Sequence, residues 1–177
     1  MKKSSKIFLA LMAVVCLAFV GCPSTTAPDT WTEVSTFDGL DGTWKTTMTV
    51  KKQGIEAEAT MIVTIKGEKA DMITSVKMDM TAIIDAQASG DKELADEVWQ
   101  VMKSQENTEE YDGVEVSFSE GRPYIMTQTT TIPNCSFDEL ADGATIYVNG
   151  NKTKLKMVDE VETGDVSVSG TTILTKQ

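Results

Sequence analysis

The chain has 177 residues, of which 27 are acidic and 16 are basic, and its net charge at pH 7 is −11. Such an acidic chain repels nucleic acid and anionic lipid headgroups through its long-range field, so we expect no nucleic-acid partner. The sequence contains no histidine, which removes the commonest general base and the commonest zinc ligand. It also lacks a nucleophile elbow, a Walker loop, an HExxH motif and the dinucleotide-binding glycine pattern. We therefore predict that the protein is not an enzyme and holds no metal and no cofactor.

The first 21 residues have the properties of a secretion signal. Lys2, Lys3 and Lys6 make the start of the chain positive, and the fourteen residues 7–20 that follow carry no charge. A membrane-spanning helix needs about 20 apolar residues, so this run is short for a permanent anchor. A charged start, a short apolar core and small residues at its end indicate a signal peptide over residues 1–21.

The end of this segment, Phe19-Val20-Gly21-Cys22, resembles the lipobox of bacterial lipoproteins. The resemblance implies that Cys22 receives a diacylglycerol thioether and becomes the first residue after cleavage. Each buried CH₂ group of an acyl chain such as palmitate contributes about 0.8 kcal/mol to membrane binding, so two or three chains would hold the protein on a bilayer. The alternative is an ordinary signal peptide with an incidental cysteine. Because Pro23 rather than Asp follows the cysteine, the resemblance favours the outer membrane of the cell envelope over the inner membrane.

Residues 22–41 have the composition of a tether, rich in proline, serine and threonine, and we expect Trp31 and Phe37 to dock its far end onto the domain. With Cys22 blocked by lipid, Cys135 is the one thiol left after processing, so no internal disulfide is expected. Its neighbours give it neither a metal-ligand nor a redox spacing. We interpret Cys135 as a small buried residue.

Strict alternation of apolar and polar side chains begins at Gly42. Trp44, Met48 and Val50 fall on one side, and lysines and threonines fall on the other. This period of two is typical of a strand with one buried face. The same period runs through residues 55–66 and about 70–82, and short glycine-containing turns separate the three runs. The pattern predicts consecutive antiparallel hairpins.

Residues 91–105 break this rhythm, because Leu94, Val98, Val101 and Met102 recur at helical spacing. Ser89 or Asp91 can cap the first turn of the predicted helix. Turn sequences separate five further predicted strands, at about residues 114–118, 124–131, 145–149, 152–158 and 166–176. The sequence therefore predicts a mainly β domain of eight strands, with one short helix between the third and the fourth.

Eight antiparallel strands can close into a barrel without free edges, and its interior is either filled by side chains or holds one small ligand. An open sandwich is the alternative. Gly42-Thr43-Trp44 resembles the Gly-x-Trp motif of lipocalins, and the chain is similar in kind to bacterial lipocalin-like lipoproteins. The resemblance implies an up-and-down barrel over residues 42–177, with Trp44 plugging its closed end. The arginine that stacks on this tryptophan in the family is not identifiable, because Arg122 is the only arginine and lies at mid-chain.

Methionines in the predicted strands bear on what the interior does. Methionine is flexible and polarisable, and it accommodates varied apolar shapes. A barrel lined in this way could hold a lipid or another apolar molecule, whereas the alternative is a packed core that happens to use methionine. The candidate ligand-lining residues are Trp44, Met48, Met61, Met72, Met78, Met80 and Met126.

The sequence is therefore compatible with two functions. The first, which we predict, is a membrane-anchored lipoprotein whose barrel binds or carries a small apolar ligand. The second is an envelope or surface interaction protein, adhesin-like or structural, whose filled barrel binds a protein partner and no small ligand. In both, the lipid on Cys22 holds the protein on the membrane.

Overall fold

The computed structural model describes residues 30–52, 55–105, 113–141, 143–163 and 166–177. The predicted signal peptide, Cys22 and the first part of the predicted tether lie outside the described residues. Strands make up most of the described chain, so the mainly β class is confirmed.

Nine strands and three helices are present in the described chain. The strands are β1 (Trp31–Val34), β2 (Gly42–Lys52), β3 (Ile55–Lys66), β4 (Lys69–Asp79), β5 (Val114–Phe118), β6 (Ile125–Cys135), β7 (Ala144–Asn149), β8 (Lys154–Thr163) and β9 (Val166–Lys176). The helices are α1 (Thr81–Gln87), α2 (Lys92–Gln105) and α3 (Phe137–Ala141).

The nine strands form one antiparallel sheet in the order β1-β7-β8-β9-β2-β3-β4-β6-β5, and this sheet is not closed. The predicted eight-stranded closed barrel is therefore wrong. β4 pairs directly with β6, which leaves β5 outside β6 as one edge of the sheet. The other edge is β1, an additional strand that forms within the predicted tether and pairs with β7. Each edge strand has only one neighbour, so the hydrogen-bond ladder ends there.

The sequence predicted one helix where the described chain has three. α1 begins where the alternation had suggested the end of the third strand. The strand ends there because the Asp79 carboxylate accepts a hydrogen bond from the Thr81 N–H at 2.9 Å. Hydrogen bonds from Thr81 also lower the pKa of Asp79.

The boundaries of α2 agree with the predicted helix. Asp91 caps it by accepting hydrogen bonds from the N–H groups of Glu93 at 2.9 Å and Leu94 at 3.3 Å. The buried face of α2 agrees only in part with the prediction, because Val98 and Met102 pack against the helical cluster but Leu94 and Val101 are 44% and 53% exposed. The helix buries Ala95 and Trp99 instead.

Contacts divide the chain into two compact units. The first contains the described residues within Met1–Thr46, Met61–Met72 and Ile132–Gln177, and the second contains those within Thr47–Thr60 and Ile73–Thr131. The core of the first unit is formed by alternating side chains of its strands together with side chains from β1, the loop after it and α3. Its buried members are Phe37, Leu40, Trp44, Met61, Val63, Ile65, Ala70, Met72, Cys135, Leu140, Ile146, Val148, Leu155, Met157 and Leu174.

Trp44 is the largest side chain in this core and is 0% exposed. Its indole N–H donates a hydrogen bond of 2.9 Å to the Leu40 carbonyl, which satisfies the polar atom of the ring. The Lys176 ammonium lies 5.2 Å from the centroid of the ring. Gly42 has a φ of +130°, and a Cβ added there would lie 2.7 Å from the Lys176 Cε. The backbone conformation therefore favours glycine at the entry to β2, and a larger residue would also displace the flexible end of the lysine.

The second unit has a separate core, in which α1 and α2 pack on the loop before β6. Its buried members are Ile84, Ala88, Ala95, Trp99 and Tyr124. The Trp99 indole N–H donates to the Ser119 carbonyl at 3.0 Å, and the Tyr124 hydroxyl donates to the Asp96 carboxylate at 2.6 Å. These bonds fasten α2, at Asp96 and Trp99, to the chain that leads into β6.

We expect Trp44→Ala to lower the free energy of unfolding by about 3–5 kcal/mol, because it leaves a cavity in the core and an unpaired Leu40 carbonyl. Urea unfolding followed by far-UV circular dichroism measures this loss. Lys45→Ala, one residue along on the solvent side of the strand, is the control and should change stability by less than about 0.5 kcal/mol. A loss below about 1 kcal/mol for Trp44→Ala would contradict its role in the core.

Candidate functional site

The structure divides the predicted ligand-lining residues between the two units. Trp44, Met61 and Met72 are buried in the core of the first unit. In the second unit, Met48, Met78, Met80 and Met126 are half-buried. Cys22, the predicted lipid attachment site, lies outside the described residues.

The core of the first unit is filled. A cavity among its apolar side chains has a volume of about 10 Å³, which is room for roughly one water molecule. Phe37, Leu40, Ile65, Leu155 and Leu174 are among the residues that line it. Pockets for small ligands usually measure about 300–1,000 Å³. Trp44, Met61 and Met72 therefore act as core residues.

In the second unit, hydroxyl contacts show which side chains share a face of the sheet. The hydroxyls of Thr47 and Thr60 lie 3.1 Å apart, so both side chains are on one face of β2 and β3. Because successive side chains of a strand alternate, Met48 and Ala59 share the opposite face. Ala59 is buried, which identifies this opposite face as the apolar one.

The same alternation continues across β4, β6 and β5. The Thr129 hydroxyl donates to the Ser75 hydroxyl at 3.4 Å, so Val76 and Gln128 project from the other side of these two strands. β5 extends the apolar face, because Val116 is in register with Gln128 and Phe118 is in register with Met126.

The helices cover one end of this apolar face. Phe118 packs edge-on against Trp99, with ring centroids 5.3 Å apart, and Met80 and Met126 also contact the helical cluster. Beyond the helices the face is partly exposed: Val116 is 38% exposed, whereas Ala59 and Val76 are 7% and 8% exposed. We call this partly exposed part the methionine face. It consists of Met48, Val50, Ala57, Met78, Val116 and Gln128.

None of the six side chains of the methionine face is charged, and several charged side chains of the same strands project from the opposite side. Lys51 and Glu56 form an ion pair of 2.7 Å there, and Glu58 and Lys77 occupy equivalent alternate positions. An ionic ligand would lose water on the methionine face without gaining a partner, which is costly. The surface therefore suits a neutral, apolar ligand.

Thr74 lies on the apolar side of β4, between Met72 and Val76. Its hydroxyl is buried and has no hydrogen-bond partner among the described residues. A buried hydroxyl without a partner costs about 1–3 kcal/mol. It is thus a polar atom adjoining an otherwise apolar face, and a hydroxyl or carbonyl group of a ligand could satisfy it.

Two further titratable groups of the described chain, Cys135 and Tyr124, are engaged in structure. Cys135 is 3% exposed, its thiol donates to the Ala70 carbonyl at 3.0 Å, and burial raises its pKa. The predicted burial of Cys135 is therefore confirmed. The hydrogen bond that the Tyr124 hydroxyl donates to Asp96 raises the pKa of Tyr124, because it favours the protonated phenol. Among the described residues, no group of three or more cysteine, aspartate or glutamate side chains is placed to hold a metal ion.

Sequence reasoning missed Val116 and Gln128 in the methionine face. Alternation within β5 and β6 placed their side chains on one side of each strand, but the register that brings them beside Met78 depends on long-range pairing.

Sequence reasoning also missed Lys176, which supplies the cation over Trp44. No local motif marks a lysine one residue from the end of the chain as the partner of a tryptophan near its start.

No family model matches the chain, and no curated protein or solved structure shows significant similarity to it. Within the described residues, every helix is too short or too polar to cross a bilayer. The methionine face and the sequence motifs are therefore the features of this chain that bear on its function.

We expect Thr74→Val to leave the free energy of unfolding unchanged or to raise it by about 1 kcal/mol, because the substitution removes a buried hydroxyl without a partner and preserves shape. Thr81→Val is the contrasting variant, since the Thr81 hydroxyl accepts a hydrogen bond of 2.9 Å from the Tyr124 N–H. It should lose about 1–3 kcal/mol in the same urea titration. Equal losses for the two variants would show that the Thr74 hydroxyl has a partner.

Proposed function

We propose that this protein is a lipid-anchored envelope protein that binds a neutral, chain-like apolar ligand on the methionine face. The observation that carries the proposal is the apolar, partly exposed surface around Met48 and Met78, in a chain whose net charge is −11. Methionine side chains adapt to flexible hydrocarbon, because they are unbranched and polarisable. Gln128 and Thr74 supply the few polar groups that usually orient a ligand in an apolar site.

A likeness to lipocalins is part of this proposal, with the ligand on a partly exposed face instead of inside a closed barrel. Three observations support it. Trp44 is fully buried at the start of the first long strand. The last strand, β9, pairs with β2, and Trp44 is in register with Lys176. The Lys176 ammonium stands over the tryptophan ring, where members of the family place an arginine.

The anchor is the second part of the proposal. Lys2, Lys3 and Lys6 leave with the signal peptide, so the net charge of the processed chain falls from −11 to about −14. That charge opposes adsorption to an anionic membrane, and the acyl chains on Cys22 supply the affinity instead. With Pro23 after the cysteine, we place the protein at the outer membrane.

A second candidate function is an interaction protein that binds another macromolecule and no small ligand. The filled core of the first unit favours this reading, since its cavity of about 10 Å³ admits no ligand. Native mass spectrometry of the protein purified from its own host distinguishes the two functions. A co-purifying neutral lipid supports the ligand carrier, and an empty chain that also fails to bind added long-chain alcohol supports the interaction protein.

Met78→Gln should weaken binding of a pyrene-labelled long-chain alcohol by about tenfold, because a polar amide then faces the hydrocarbon. Fluorescence titration measures the dissociation constant. Ile73→Gln is the matched control, because Ile73 is an exposed apolar residue on the opposite face of the same strand, and it should bind as the parent does. Equal weakening by the two variants, or tighter binding of the corresponding fatty acid, would overturn the assignment of the methionine face.

Cys22→Ala should abolish acyl labelling and release the protein from the membrane fraction, since no other lipid attachment site is proposed. Metabolic labelling with an alkynyl fatty acid, followed by fractionation, measures both effects. Cys16→Ala in the signal peptide is the control and should leave labelling intact. A Cys22→Ala variant that stays wholly with membranes would show that the anchor is assigned wrongly.

A further inference from the structure

A lysine lies between two aromatic rings on the solvent side of the first unit. The Lys156 ammonium is 4.8 Å from the ring centroid of Trp31 and 4.4 Å from that of Tyr147. The core of this unit lies on the other side of the same strands, where Val148 and Leu155 are buried. The three side chains therefore form an outward-facing cluster that the core does not explain.

Strand register extends this cluster into two rows. In one row, Tyr147 is opposite Lys156, and Lys156 is opposite Ile173, which is 44% exposed. In the other row, Thr175 is opposite Lys154 on one side and Lys45 on the other. Adjacent strands are about 4.8 Å apart, so the backbones of these two lysines are separated by about 10 Å.

We call this surface the basic-aromatic face. It consists of Trp31, Lys45, Tyr147, Lys154, Lys156 and Ile173. Glu33, opposite Tyr147, is the one acidic residue among the described neighbours in these rows. Lys154 also interacts with another group of the chain. We therefore assign the positive charge of this face to Lys45 and Lys156. A local excess of positive charge is thus built into a strongly acidic chain.

The anchor brings this face close to the membrane. Trp31 follows Cys22 by nine residues, and a fully extended chain of that length spans at most about 30 Å. Trp31 is the first residue of β1, so the cluster begins at the strand that forms within the predicted tether. Tryptophan and tyrosine rings favour the interface between headgroups and hydrocarbon, and lysine stems can lie along apolar surface while the ammonium reaches phosphate.

We propose that the basic-aromatic face docks the first unit onto the anionic lipid surface that holds the anchor. This inference rests on the lipid anchor of the proposed function. The acyl chains supply the affinity, and the face sets the orientation of the unit on the bilayer. The net negative charge of the chain does not prevent this contact, because screening limits repulsion to about 8 Å at physiological salt, whereas the lysines touch the headgroups directly.

Tryptophan quenching tests the proposal on the full chain processed and purified from its own host. The chain has three tryptophans, and Trp44 and Trp99 are buried, so a membrane-embedded quencher reports on Trp31. The protein is mixed with vesicles of phosphatidylcholine brominated near the headgroup end of its acyl chains, with and without phosphatidylglycerol. We expect quenching with the anionic vesicles, and Trp31→Phe should remove the quenched component.

The double variant Lys45→Gln/Lys156→Gln isolates the role of charge. Each lysine near an anionic surface favours contact by about fivefold, so the double variant should shift the docking equilibrium by more than tenfold. Lys69→Gln/Lys92→Gln is the control, because it removes the same charge from exposed lysines outside the face. Equal effects of the two double variants, or equal quenching by vesicles without phosphatidylglycerol, would overturn the proposal.

Mass spectrometry of Cys22 on the same preparation separates failure of the anchor from failure of the face. An acylated chain without Trp31 quenching keeps the anchor and overturns the docking proposal. Quenching of a chain without acyl groups supports the face and overturns the anchor, and absence of both overturns both. If Trp31 emission responds to poly-glutamate and not to vesicles, the face binds an acidic protein and the membrane proposal is wrong.

Discussion

The alternation of side chains along β2, β3 and β4 separates apolar surface from charge, and the rest of the molecule depends on that separation. One side of these strands carries Trp44, Met48 and Met61, and the other carries lysines, glutamates and hydroxyl groups. Successive side chains of a strand project to opposite faces, so one face can be apolar while the other carries charge. The acidic charge of the chain therefore stays in water, and the apolar side is left either to a core or to a ligand.

The two units use this apolar side differently. In the first unit, strands from both ends of the chain contribute to one filled core around Trp44. In the second unit, α1 and α2 cover only part of the sheet, through Trp99 and its neighbours. The part of this apolar side that α1 and α2 do not cover is the methionine face. The same residue type thus fills space in one unit and offers an adaptable surface in the other, and the difference comes from what packs against it.

β1 is the first strand of the described chain and lies at one edge of the sheet. It adds a strand next to β7 and places Trp31 on the solvent side, beside Lys156. The segment after it sends Phe37 and Leu40 into the core, and the Leu40 carbonyl accepts the hydrogen bond of Trp44. The segment before β2 is therefore held by the sheet, the core and an indole.

The sequence by itself determined the β class, the long hairpins, the boundaries of α2 and the placement of methionines on the apolar side of the strands. Alternation, helical spacing and capping are encoded within short stretches of chain. The sequence did not determine the open sheet, the pairing of β4 with β6, the strand within the tether or the three-helix count. Those features depend on contacts between residues far apart in the chain, and alternation is compatible with several pairings of the same strands. Only the tertiary structure decided which methionines are core, because burial depends on the element that covers each face. It also decided that a lysine at position 176 stands over Trp44, and that Lys45 and Lys156 meet on one surface.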